Sequence, residues 1–203
     1  MSLGSACEKS DDVLYQLFLQ GDTASYDALM IRYGDRLTFY LHGYIHDLHE
    51  AEDLMIEAFA RIMAKRPKIG AGAFKAYLFK TARNLALRHH ERRQRMQMFS
   101  IDGLENEIES GVFAAGGEVT IKGSPVEEDL RREERRKILH LCLDRIDPEL
   151  KEALWLIYFE DMSYADAAAI MKVNRKKIDH LLQRGKKHMR DVLAQEGVTN
   201  AYE

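Results

Sequence analysis

Cationic and aromatic side chains are concentrated at residues 74–95, where Phe74, Tyr77 and Phe79 come before a run of arginines. Aromatic rings stack on unpaired bases and cations follow a phosphate backbone, so this combination is typical of a surface that binds unstacked nucleic acid. Asn84 can pair with a base edge, or it can be an ordinary buried amide bonded to the backbone. The side chains predicted to make contact are Tyr77, Lys80, Arg83, Asn84, Arg88 and Arg92.

A second basic stretch, residues 172–190, follows a short alanine-rich segment that Ser163 can cap. Asn174 can cap the next helix after a tight turn, although Lys172 stands where such turns often have glycine. A short helix, a tight turn and a helix with a basic first turn form the helix-turn-helix pattern, whose second helix enters the major groove. The alternative is a plain amphipathic hairpin. The predicted contact residues are Asn174, Arg175, Lys176, Lys177, His180, Arg184 and Lys187.

The charge of the chain is sorted into blocks, although its formal total is only −3. Residues 61–95 carry a net charge of +10 and residues 172–190 a net charge of +7, whereas residues 96–130 carry −7. Two basic blocks in an acidic chain indicate two contacts with a polyanion. The alternative for each block is a solvated helix face.

The elements that must position these residues are predicted to be helices, because apolar residues recur with helical spacing and no strand ladder is evident. We expect an all-α fold with helices at about 11–20, 23–46, 49–65 and 74–98, and again at 127–145, 148–160, 163–171 and 174–194. Asp11 or Asp12 is expected to cap the first helix. The glycine-rich, acidic residues 100–126 are expected to be a flexible linker between helical domains at 10–99 and 127–195.

Several classes of protein are excluded by what the sequence lacks. Two cysteines without a motif give neither a disulfide framework nor a cysteine-rich zinc site, which favours a cytoplasmic protein. No apolar stretch is long enough to span a membrane, and we expect no signal peptide. His42, His46 and His49 have a spacing that can bring imidazoles together, but we expect no metal and no cofactor. No nucleophile with a base partner stands out, so we expect no enzyme.

Four segments of the sequence resemble motifs of a known family. Ala51–Phe59 and Ala76–Ala86 are similar to the central motifs of region 2 of bacterial sigma factors, and Leu143–Leu154 with Tyr158–Tyr164 is similar to their region 4. The order and the acidic linker resemble the extracytoplasmic-function group of the sigma-70 family. The resemblance implies a region 2 helical bundle and a four-helix region 4 domain with a helix-turn-helix.

The resemblance implies a division of roles between the two domains. Region 2 would bind core RNA polymerase through Glu52, Asp53, Leu54, Glu57 and Phe59, and would bind the −10 promoter element through residues 66–95, including Lys68. Within that segment, the loop at 66–73 would lie where the family captures a flipped base. Region 4 would read the −35 element as duplex DNA.

The two promoter elements are centred about 25 base pairs apart, which is roughly 85 Å at ~3.4 Å per pair. A fully extended linker over 100–126 reaches about 90 Å at ~3.3 Å per residue, so the span is feasible. The resemblance also implies an anti-sigma partner. The competing hypotheses are a stand-alone helix-turn-helix regulator with a sensing or dimerising domain, and a helical enzyme or scaffold with incidental basic blocks.

Overall fold

The computed structural model describes residues 9–100 and 146–195, and these residues form helices and no strand. The all-α prediction is therefore confirmed. The linker at 100–126 and the helix predicted at 127–145 lie outside the described residues, apart from Ser100, and the domain boundaries stay a prediction. The helices are α1 (Asp11–Leu19), α2 (Thr23–Ile45), α3 (Leu48–Lys65), α4 (Phe74–Ser100), α5 (Pro148–Leu154), α6 (Tyr164–Met171) and α7 (Arg175–Gln195).

The ends of the helices are set by local capping chemistry. Ser10, rather than Asp11 or Asp12, is the N-cap of α1, because its side chain accepts a hydrogen bond from the Val13 backbone N–H. The two aspartates instead occupy the first turn, where their charges favour the positive end of the helix dipole. After α1 the chain turns at Gly21, whose φ of +107° suits glycine.

The four N-terminal helices enclose an aromatic core. The rings of Phe18 and Tyr26 lie 4.4 Å apart, and those of Tyr26 and Phe59 lie 5.7 Å apart in an edge-on arrangement. The Tyr26 hydroxyl donates to the Phe59 carbonyl oxygen at 2.5 Å, which satisfies the hydroxyl inside the core. This packing joins α1, α2 and α3, while Phe74, which is 5.2 Å from the Tyr15 ring, brings in the start of α4.

The C-terminal helices pack with α7 crossing α5. After Leu154 the helix widens into a π-helical turn, Trp155–Phe159, before the short α6 begins. Gly185 of α7 lies so close to α5 that an added Cβ would be 3.0 Å from Leu154 Cδ1. The absence of a side chain at Gly185 therefore sets how closely the two helices approach.

Candidate nucleic-acid interfaces

A cleft of about 160 Å³ lies between the end of α3 and the middle of α4. Three of the side chains predicted from the sequence line it, namely Tyr77, Asn84 and Arg88. The α3 wall was not predicted residue by residue. The signal that the sequence offered for this wall was the helical spacing of Arg61 and Lys65, two cations of the basic block at 61–95. The residues that complete the cleft are Arg61, Ile62, Lys65 and Thr81.

The cleft combines the groups that an unpaired nucleotide requires. The Tyr77 ring is 36% exposed, so a base can stack on it, while Arg61, Lys65 and Arg88 supply positive charge for phosphate. Asn84 lies on the same wall with an amide that can donate and accept hydrogen bonds. The arrangement can therefore hold a base and its phosphate together.

The other predicted residues of this region are not brought into the cleft. Lys68, Lys80 and Arg92 are exposed on the surface outside it. Arg83 is directed to Glu152 of the C-terminal helices, with its Nε 2.7 Å from Glu152 Oε1. Lys68 belongs to a loop that is fastened to α1, since the Asp12 carboxylate accepts from the Gly72 backbone N–H at 2.8 Å.

The second candidate interface is a helix-turn-helix formed by α6 and α7. Ser163 Oγ accepts from the Asp166 N–H at 3.1 Å, and Asn174 Oδ1 accepts from the Lys177 N–H at 2.7 Å, so both predicted caps are present. Lys172 ends α6 in the left-handed conformation, with φ of 58°. A tight turn is thus made without glycine.

One face of α7 is buried and the other is available. Ile178, Leu181 and Leu182 are at most 2% exposed, as the sequence predicted. Lys177 forms an ion pair with Glu149 of α5. The predicted contact residues are all exposed, namely Asn174, Arg175, Lys176, Lys177, His180, Arg184 and Lys187.

The two helical groups contact each other through buried charges. Glu152 of α5 accepts from the Tyr40 hydroxyl at 2.9 Å and from Arg83. Burial lowers the pKa of Arg83, but the hydrogen bond and charge of Glu152 outweigh burial and raise it. Burial, followed by the Glu152 charge, raises the pKa of Tyr40 and of Tyr44. Both hydroxyls therefore stay protonated and able to donate.

Sequence comparison matches both halves of this architecture. The model of sigma-70 region 2 matches residues 29–96, which include the cleft, and the model of sigma-70 region 4 matches residues 136–189, which include the helix-turn-helix. The two matches occur in the family's order and together cover more than half of the chain. The chain belongs to the sigma-70 family.

Relatives extend the similarity over most of the chain. The RNA polymerase sigma-H factor of Pseudomonas aeruginosa is 26% identical over 166 residues, covering 81% of this chain and 84% of the relative. The ECF sigma factor SigE of Mycolicibacterium smegmatis is 26% identical over 185 residues, which cover 89% of this chain and 67% of SigE. The ECF sigma-E factor of Escherichia coli K12 is also 26% identical, over 164 residues that cover 80% of this chain and 83% of the relative. The predicted membership of the extracytoplasmic-function group is confirmed.

Solved structures share the fold at low sequence identity. CnrH, solved with the cytosolic domain of CnrY, superposes with a TM-score of 0.60 and 15% identity over 92% of this chain and 99% of CnrH. RpoE of Bartonella quintana, solved with the anti-sigma factor NepR, superposes with a TM-score of 0.58 and 20% identity. The superposition covers 83% of this chain and 96% of RpoE. These likenesses support the same helical architecture.

The chain is therefore an alternative sigma factor, a non-enzymatic protein that directs promoter-specific transcription. A stand-alone regulator is not favoured. In the described residues, no three His, Cys, Asp or Glu side chains are placed to hold a metal ion. Nor is any described helix both long and apolar enough to cross a membrane.

The predicted polymerase-binding segment of this sigma factor lies on α3, and the structure divides its residues into two groups. Glu52 and Asp53 are exposed, and Glu57 is partly exposed while bound to Arg61. Leu54 and Phe59 are buried in the core of region 2. The acidic side chains are thus the available surface, and the two apolar ones fix the helix that presents them.

Proposed function

We propose that this sigma factor holds the unpaired −10 strand in the cleft between α3 and α4, and reads the −35 duplex with α7. The observation that supports this most strongly is that Tyr77, Asn84 and three cations line the same cleft. A stacking ring, a base-edge partner and phosphate contacts are all needed for an extruded base. The exposed basic first turn of α7 meets the requirement for major-groove entry.

We propose that core RNA polymerase binds the acidic face of α3. Glu52, Asp53 and Glu57 offer carboxylates on neighbouring turns, and Ile56, which is 52% exposed, adds apolar area between them. An acidic face with an apolar centre fits a basic partner surface. Leu54 and Phe59 contribute by holding α3 against the core.

We also infer that the protein acts in the cytoplasm and is restrained there by an anti-sigma factor. RpoE of Bartonella quintana was solved with such a factor, and CnrH with the cytosolic domain of CnrY, which supports the inference. A restraining partner should lower transcription by the holoenzyme when it is added at equal concentration to the sigma factor. A partner that binds but leaves transcription unchanged would contradict this role.

The experiment that tests the proposed function uses core polymerase free of any sigma factor and a library of promoter sequences. Adding this chain should start transcription at a set of sites that share −10 and −35 elements. Failure to initiate anywhere, together with tight binding to free DNA, would instead support a stand-alone regulator. DNA binding through the basic surfaces should also weaken steeply as salt rises from low to physiological concentration.

A further inference from the structure

The two walls of the cleft between α3 and α4 are joined by one short segment of chain. The last cleft residue of α3 is Lys65, the first of α4 is Tyr77, and residues 66–73 run between the two helices. We call this segment the connecting loop. Because each of its ends continues directly into a wall of the cleft, the path of the loop constrains how the two helix ends lie relative to each other.

The composition of the connecting loop does not fix its path. Residues 66–73 form neither helix nor strand, and they include Gly70 and Gly72, whose backbones lose more conformational freedom on ordering than those of other residues. Gly72 has a φ of +71°, which glycine adopts without strain. Within the loop, the Ala73 N–H donates to the Gly70 carbonyl oxygen at 3.1 Å. A loop of this composition needs contacts from another element to hold one conformation.

Helix α1 holds the start of the connecting loop. The Arg66 guanidinium carbon lies 5.2 Å from the centre of the Phe18 ring, whose face attracts a cation. The Tyr15 hydroxyl donates to the Pro67 carbonyl oxygen at 2.8 Å. Because the proline ring already restricts φ, this hydrogen bond leaves the chain little freedom at that point. Two side chains of α1 therefore fix the first two residues of the loop.

Helix α1 also holds the far end of the connecting loop, through Asp12. Both carboxylate oxygens of Asp12 lie within hydrogen-bond distance of the Gly72 N–H, at 2.8 and 2.9 Å. A hydrogen bond to an ionised acceptor is roughly twice as strong as one between neutral groups. Gly72 lies two residues before Phe74, where α4 begins. Asp12 therefore fixes the point at which the chain enters the α4 wall.

Helix α1 is itself firmly attached to α2, so it is a rigid support for the loop. Asp11 accepts from Arg32 Nη1 at 2.5 Å and from the Tyr33 hydroxyl. The Phe18 side chain is only 1% exposed. The two neighbouring aspartates thus have different tasks, because Asp11 joins α1 to α2 and Asp12 joins the connecting loop to α1.

We propose that Asp12 and Tyr15 are positioning residues for recognition of the −10 strand, which hold the two walls of the cleft in the arrangement that accepts an unpaired base. This inference rests on the proposed function of the cleft. Neither residue is among the side chains that line the cleft, so each acts through the connecting loop. A site that is already held in its binding geometry loses less conformational entropy when the ligand binds.

The test measures binding of unpaired oligonucleotides to the holoenzyme formed from this chain and core polymerase. The oligonucleotides carry the −10 element shared by the promoters that the holoenzyme uses, either complete or with one abasic nucleotide. At the position that the cleft binds, the parent should prefer the complete strand by at least about tenfold, because a stacked base is lost from the other. Asp12→Ala should lower this preference to about threefold or less. Both strands carry the same phosphates, so the lost carboxylate charge cancels from the ratio.

Three further variants show whether the hydrogen bonds to the loop are responsible. Asp12→Asn keeps an oxygen that can accept from the Gly72 N–H, and it should recover most of the parental ratio. Tyr15→Phe keeps the ring but loses the hydrogen bond to the loop, and it should lower the ratio. Asp35→Ala, which removes a carboxylate from an exposed position on α2, should leave the ratio unchanged.

Hydrogen exchange measures the contact itself, since the Gly72 amide should exchange faster in Asp12→Ala than in the parent chain. An unchanged exchange rate would show that Asp12 does not hold the loop, and would overturn the inference. A parental ratio despite faster exchange would overturn the positioning role and leave the proposed function standing, as would equal weakening of both strands. A parent chain that distinguishes no abasic strand from the complete one would overturn the proposed base site as well.

Discussion

Arg61, on the α3 wall of the cleft, donates two hydrogen bonds to Glu57 Oε1, at 2.6 and 3.0 Å. Glu57 belongs to the acidic face proposed for polymerase, so one ion pair joins the two binding surfaces of region 2. A partner that binds the Glu57 carboxylate would free the Arg61 guanidinium for contact in the cleft. Polymerase binding would then increase the positive charge available to the −10 strand.

Arg61→Gln should weaken binding of the unpaired −10 strand by the holoenzyme about 3- to 10-fold, which corresponds to ~0.6–1.4 kcal/mol. Binding of the variant to core polymerase should not weaken, because the Glu57 carboxylate of the acidic face loses its Arg61 partner and becomes more available. Filter binding or fluorescence anisotropy measures the first quantity and a core-binding assay the second. Arg95→Gln, which removes the same charge from an exposed position on α4 outside the cleft, is the control. Equal effects of both changes would show that only net charge matters.

Glu57→Lys should reduce the affinity for core polymerase by at least about tenfold, because it places a cation where a basic partner is expected. Binding of the free variant to a −35 duplex should match that of the parent chain, since α7 lies in the other domain. The control is Asp27→Lys, an equal charge reversal at an exposed position on α2. Unchanged affinity for core polymerase would show that the acidic face of α3 has another use.

Lys172→Gly should stabilise the protein, because Lys172 adopts φ of 58° and a non-glycine residue is strained there. The expected gain is up to about 1 kcal/mol in the free energy of unfolding, reduced by the added entropy of glycine in the unfolded chain. Lys187→Gly, at an exposed position inside α7, should instead destabilise by about 1 kcal/mol. Urea denaturation of both variants measures the contrast, and destabilisation by both would rule out strain at Lys172.

Gly185 and Leu154 should show energetic coupling, since an added Cβ would lie only 3.0 Å from the leucine. Gly185→Ala gains helix propensity of about 1 kcal/mol, and the crowding of Leu154 opposes this gain. In a Leu154→Ala background the crowding is relieved and the stabilising effect of alanine should emerge. A double-mutant cycle should therefore give a coupling energy of at least about 0.5 kcal/mol, and strictly additive effects would contradict the close approach.

The buried tyrosines of region 2 should make the protein sensitive to alkali. Burial raises the pKa of Tyr26 and, with the Asp11 carboxylate, that of Tyr33. Above pH 10 the unfolded chain ionises these hydroxyls while the folded protein retains their protons. Each therefore lowers the free energy of unfolding by up to about 1.4 kcal/mol per pH unit, starting near the unfolded pKa of ~10.

Tyr26→Phe should accordingly give a shallower loss of stability between pH 9 and pH 11.5, as measured by urea midpoints at each pH. At pH 7 the same variant should be less stable by about 1 kcal/mol, because the buried hydrogen bond from the Tyr26 hydroxyl to the Phe59 carbonyl oxygen is lost. Tyr164→Phe, at an exposed ring, serves as the comparison. A slope that does not change in the Tyr26 variant would exclude this residue as a source of the alkaline instability.

Much of the fold could be predicted because helix caps and helical periodicity depend on residues close together in the sequence. Part of the candidate site could not, because it depends on contacts between residues that are far apart in the sequence. The caps at Ser163 and Asn174 depend on the next few residues and could be read from the sequence. Arg83 was assigned to DNA from its place on a basic helix, yet its partner Glu152 lies 69 residues away and no periodic pattern joins them. Arg61 was missed as a contact because the cleft forms only when α3 packs beside α4.

The hydrogen bonds between α1 and the loop after α3 affect how short a stable fragment of region 2 can be. The match to the region 2 family model begins at residue 29, after α1. Asp12 nevertheless fastens the loop at Gly72, and the Tyr15 hydroxyl donates to the Pro67 carbonyl oxygen at 2.8 Å. A fragment trimmed to the shared family segment would lose both fastenings and the Phe18 ring from the core. A stable fragment of region 2 should therefore include α1, which lies outside the segment that the family model matches.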